Sequence, residues 1–145
     1  MSRFSSFLFA KPTTSGQYAF VVVRLVVAGF WLNSDLPRWT ALAAGHLQAN
    51  GLVRNLFGAG MAMPLTILFT LFETLGAIAY ILGLATRLVS IWPVVEFAIT
   101  GMTGVLTGNV GLAKDFGLFA GGLVLLLNGS PVLSVDAWLA RKAGK

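Results

Sequence analysis

Four apolar runs, each long enough to cross a lipid bilayer, fill most of this 145-residue chain and leave little room for anything else. They cover about residues 18–36, 63–85, 88–107 and 112–128. One crossing takes about 20 apolar residues, so four of them nearly exhaust the length. Composition points the same way. Hydrophobic residues make up 57% of the chain and charged ones 10%, with a mean hydropathy of +0.84. That is too little polar surface to cover a soluble domain of this size. The expected fold is an all-α membrane protein: one domain over residues 1–145, a four-transmembrane-helix bundle with an interfacial helix between spans one and two.

Local signals set the expected boundaries. Pro37 ends the first span, Pro64 stands near the first turn of the second, and Pro93 lies inside the third. Asn128-Gly129-Ser130-Pro131 is a strong stop for the fourth. Between spans one and two, Trp39, Leu42, Ala49, Leu52, Val53 and Leu56 line one face of an interrupted helix, interfacial or partly re-entrant, which Gly45 and Gly51 weaken. After the last span Ser134 is the expected N-cap of a tail helix anchored by Trp138. Phe4, Phe7 and Leu8 give residues 1–17 the pattern of a segment lying on the membrane, and it does not read as a signal peptide.

The positive charges orient the bundle. With four crossings, Arg3, Lys11, Arg87, Arg141, Lys142 and Lys145 share one side, and Arg38, Arg54 and Lys114 the other. Six against three places both termini in the cytoplasm of a multi-pass cell-membrane protein. The ten basic residues are scattered, which suits anionic lipid rather than nucleic acid. Absent cysteine excludes disulfides, iron–sulfur clusters and thiol redox chemistry, including the four-helix quinone-linked enzymes that work through a Cys pair. His46 is the one histidine, so no bis-His haem and no metal site is expected. No cofactor is expected to be built in.

Arg24, Glu73 and Glu96 each fall in a different span. A charge there costs about 2.5–3.5 kcal/mol even on the lenient insertion scale, so it marks function by default. Counted from the outer ends, all three lie about 15–18 Å deep. They form an expected buried site in which Arg24 fixes an anion or carbonyl and Glu73 or Glu96 handles a proton. The alternative is an ion pair that only sets helix register. Asn33, Asp35, Arg38, Thr107, Asn109, Lys114 and Asp115 make a polar outer rim, either ordinary capping and snorkelling or a shallow anion pocket. Lys114 and Asp115 are adjacent, so they need separate partners. Gly101, Gly104, Gly108, Gly117 and Gly121 recur at spacings that let helices approach closely.

Arg24 with Leu25 and Gly29, Phe72-Glu73-Thr74-Leu75-Gly76 leading to Leu82-Gly83-Leu84-Ala85-Thr86-Arg87, Lys114-Asp115-Phe116-Gly117-Leu118, and Leu133-Ser134-Val135-Asp136 together resemble the DoxX family. That family includes DoxD-type subunits of thiosulfate:quinone oxidoreductase. The resemblance covers nearly the whole chain. It implies four spans and electron transfer at the quinone pool, beside other redox subunits or as a homo-oligomer, with quinone as bound substrate. On it, Arg24, Glu73, Arg87, Lys114 and Asp115 match family motifs, with Arg24 and Glu73 catalytic and Glu96 added by depth alone. The leading expectation is a membrane subunit of a quinone-linked oxidoreductase or respiratory complex. A non-catalytic scaffold or assembly subunit is the alternative, and a small ion or solute transporter a weaker one.

Overall fold

The computed structural model describes residues 17–143; the segment containing Phe4, Phe7 and Leu8 lies outside them. The described chain is helical, with no strand among those residues. In order the helices are α1 (Gln17–Ala43), α2 (Gly51–Phe57), α3 (Ala59–Leu82), α4 (Thr86–Val89), α5 (Ile91–Thr107), α6 (Val110–Ala113), α7 (Asp115–Asn128) and α8 (Val135–Ala143). Four stretches are long and apolar enough to cross a membrane: Gln17–Ala43, Ala59–Leu82, Thr86–Thr107 and Val110–Asn128. Large apolar side chains face outward along them, Leu106 at 78% exposure and Val110 at 81% among them. Water would not tolerate such a surface; lipid covers it without cost. The chain is a multi-pass membrane protein.

The first boundary differs from the sequence expectation. Pro37 does not end α1, which runs six residues further to Ala43. Proline removes the bond to the carbonyl four residues back and costs about 3 kcal/mol in a helix interior. Past it, however, Arg38 and Trp39 reach side chains on α3, and those bonds favour the helical course. The helix then stops at Gly45, where Gly45 N–H donates to the Leu42 carbonyl and His46 N–H to that of Ala41. This is a Schellman ending. The same pattern closes α3 at Gly83 and α5 at Gly108.

The connection between the first two spans is shorter in helix than its pattern suggested. Only Gly51–Phe57 is helical, and Gly51 starts that helix instead of weakening it. The Asn50 side chain caps it, accepting from the amides of Leu52 (2.9 Å) and Val53 (3.3 Å). Pro64 lies a turn deeper than expected because α3 already begins at Ala59. Pro93 stands in the first turn of α5, where its missing N–H has no helical acceptor to lose. The fourth span stops at Asn128, as the Asn-Gly-Ser-Pro run required, with Gly129 at φ +71°.

The chain divides into two compact units. One consists of residues 28–78, and α1 and α3 each run on from it into the other. The second comprises the described residues up to Val27 and from Ala79 onward. In that unit α5 packs along α7, and Gly104 sits so close to the Leu112–Ala113 backbone that a Cβ there would overlap it. Gly121 faces Val23 and Gly122 faces Val94 less tightly, an added Cβ lying 3.2 and 3.3 Å from their methyl groups. Of the glycine pairs in the sequence, Gly104 and Gly121 mark close approaches. Gly108 and Gly117 face open space.

Candidate functional site

Two buried polar clusters stand within the apolar helices, one in each unit. The first belongs to residues 28–78. Asp35, fully buried, and Arg38 lie three residues apart on α1, hence on one face. Arg38 Nη1 donates to Asp35 Oδ1 at 3.2 Å and to Glu73 Oε2 on α3 at 2.9 Å. The other oxygen of Asp35 accepts from the Thr74 hydroxyl at 3.0 Å, and Thr74 in turn accepts from the Trp39 indole N–H at 2.8 Å. Ser34 donates to the Trp31 carbonyl and reaches Asp35 Oδ1 at 3.4 Å. Trp31 itself, fully buried, packs over Gly76, where an added Cβ would lie 2.8 Å from the indole.

One guanidinium nitrogen therefore serves two carboxylates. The Arg38 side chain keeps 28% exposure, whereas those of Asp35 and Glu73 keep 0% and 7%. A cation at the edge with carboxylates behind it can offer a donor to an approaching carbonyl oxygen. The carboxylates can hold a proton close by.

The second cluster belongs to the other unit and ties the chain's last turns to the turn after α3. Arg24 is buried on α1; its Nη1 donates to the Ser130 hydroxyl and its Nη2 to the Leu133 carbonyl, the latter at 2.8 Å. Its Nε is buried with no hydrogen-bond partner among the described residues. Asp136 accepts from the amides of Ala85 (2.7 Å) and Thr86 (2.8 Å), and so caps α4 from a distant part of the chain. Its own amide donates to the Gly83 carbonyl. Ser134 caps α8 through Ala137 N–H, as its place in the sequence indicated. Gly83, at φ +64°, is wedged so tightly that any Cβ would overlap Arg24 and Ser134. The Leu82–Arg87 and Leu133–Asp136 motifs thus meet, with Arg24 between them.

The three charges expected at one depth have these surroundings within their own units. Arg24 serves the Ser130–Leu133 loop, and Glu73 is held by Arg38. Glu96 is half-buried on α5. Lys114 is exposed at the joint between α6 and α7, while Asp115 is buried as the first residue of α7, so the two do point apart. Asp115 Oδ1 has no hydrogen-bond partner among the described residues.

The sequence puts Asp35 and Arg38 at the end of a span that Pro37 closes; in the structure α1 continues past Pro37 and both residues lie within it. Their three-residue spacing, with Trp39 one position on, was the signal that placed them on one face of a continuing helix.

Fold and clusters define a class: a small multi-pass α-helical membrane protein with an ion-pair network inside its apolar helices. Comparison with protein-family models, with curated proteins and with solved structures finds no match to this chain.

Proposed function

We propose that this protein is the membrane subunit of a quinone-linked oxidoreductase of the DoxX kind, resident in the cell membrane, and that the quinone head group docks at Arg38. The observation that carries this reading is the shared Arg38 nitrogen between Asp35 and Glu73. A quinone carbonyl needs a donor as it gains electron density, and two protons as it becomes the quinol. Arg38 offers the donor and the two carboxylates relay the protons, while the two electrons come from a reduced donor, with thiosulfate the one the family resemblance suggests. Arg24 fits a bracing role better than the catalytic one expected of it, since both terminal nitrogens are taken by the chain's own oxygens. Lys114, exposed at the joint between α6 and α7, would meet an anionic donor at the rim. In this reading α2 lies at the membrane interface.

A photoreactive quinone analogue tests the docking site. Labelling within residues 31–43 or 66–76 that is lost in Arg38→Gln supports it; labelling confined to other segments, or unchanged in the variant, overturns it. Turnover is a separate matter. Absence of quinone reduction with thiosulfate and with other sulfur donors, in the protein purified with its native partners, would sink the enzymatic form.

The scaffold reading draws on a different observation: Asp136 and the terminal nitrogens of Arg24 bind the chain's own backbone and side-chain groups and so brace the fold. Glu73→Gln separates the two. Lost electron transfer in an intact complex favours chemistry, and a lost complex favours scaffolding.

A further inference from the structure

The tail helix α8 turns its one acid inward and its bases outward. Asp136 is buried, with both carboxylate oxygens taken by the Ala85 and Thr86 amides, and Ala137 is buried beside it. Trp138, Arg141 and Lys142 are three and four residues apart, so they share the opposite face, and all three are exposed. Lys142 Nζ stands 4.2 Å above the Trp138 ring. Leu133, just ahead of the helix, is 69% exposed. Asp136 faces into the fold, its oxygens turned to the Ala85 and Thr86 amides, and so lies away from the face that carries the two cations.

We infer that α8 is a docking face for anionic phospholipid head groups, lying along the bilayer surface. Nine residues span about 13 Å, too short to cross. Its N-terminal end is fixed at the turn that follows α3, through Asp136 N–H to the Gly83 carbonyl, so it starts where a membrane-crossing helix stops. At that level a tryptophan and a leucine enter the boundary between head groups and acyl chains. Arg141 and Lys142 then meet the phosphates. The cation over the indole pre-positions Lys142, because the ring holds an ammonium where a water-facing lysine would be free to roam. Charge complementarity selects the acidic lipid: each basic residue near such a surface favours it by about fivefold.

Two measurements on the full chain in nanodiscs test this. The sequence has no cysteine, so Ala143→Cys provides a single point for an environment-sensitive fluorophore. In equimolar phosphatidylcholine and phosphatidylglycerol its emission shifts to the blue and iodide quenches it less than in phosphatidylcholine alone. Native mass spectrometry of the released protein shows phosphatidylglycerol retained over phosphatidylcholine. That preference falls about fivefold in each of Arg141→Gln and Lys142→Gln, and further in the double variant, with unchanged thermal unfolding. Equal retention of both lipids, or a preference that survives the double variant, overturns the inference. So does a blue-shifted emission independent of lipid composition, which would mean that a protein or neutral surface covers α8.

Discussion

At the scale of single residues, the arginines on α1 differ in the groups to which they donate. Arg38 donates to carboxylates; Arg24 donates to a hydroxyl and a carbonyl. Removing the central member of an ion-pair network leaves uncompensated charge, whereas neutralising one carboxylate keeps a hydrogen-bond acceptor in place. Arg38→Met is therefore expected to destabilise the protein by about 3 kcal/mol and Glu73→Gln by about 1 kcal/mol. Unfolding by dodecyl sulfate in mixed micelles reads both, and a larger loss in the glutamine variant would refute the arrangement. Glycines offer a second contrast. Gly83→Ala meets both a left-handed backbone and overlap with Arg24 and Ser134, and should cost about 2–3 kcal/mol or more. Gly29→Ala, in open space within α1, should be neutral or slightly stabilising by the same assay.

At the scale of elements, the informative cases are a helix that continues through a proline and a turn that borrows its cap. The proline penalty in α1 is outweighed by bonds made beyond it, so relieving it should strengthen the helix. Pro37→Ala is expected to raise stability by about 2 kcal/mol, seen as a shifted unfolding midpoint, provided the Trp39–Thr74 bond persists. A loss of stability would mean that the proline shapes the site and is not merely tolerated. The α4 turn lacks a side-chain cap of its own, and Asp136 supplies one. Asp136→Ala should accordingly speed amide hydrogen exchange at Ala85 and Thr86 by about 10- to 100-fold, as an unmet buried amide costs about 1–3 kcal/mol. Exchange within α7 should stay as slow as before.

At the scale of the whole molecule, an even number of crossings puts the two termini on one side whatever the loops do. Reporter fusions at residue 1 and residue 145 should give the same compartment, which the positive-inside rule, applied to the six-to-three distribution of basic residues, predicts to be the cytoplasm. Opposite signals from the two fusions would exclude four crossings. The lipid-docking role of α8 also needs this side, because acidic lipid is concentrated in the leaflet that faces the cytoplasm.

The sequence by itself determined the number and approximate position of the membrane-crossing helices, since apolar length and backbone hydrogen bonding leave a bilayer segment no other course. It also determined the fourth-span stop and the Ser134 cap, both of which are local chemistry. Partnership was decided only in three dimensions. Depth along a helix says that Arg24 and Glu73 are costly, but not which way either points or what lies opposite. Pro37 is the sharpest case: its local preference argues for an end to the helix, and the bonds of Arg38 and Trp39 to α3 prevail. That choice places Asp35 and Arg38 within a continuing helix, where both reach α3 side chains, Arg38 that of Glu73 and Asp35 that of Thr74. Likewise the meeting of Leu82–Arg87 with Leu133–Asp136 joins segments some 50 residues apart, a separation over which no local rule acts.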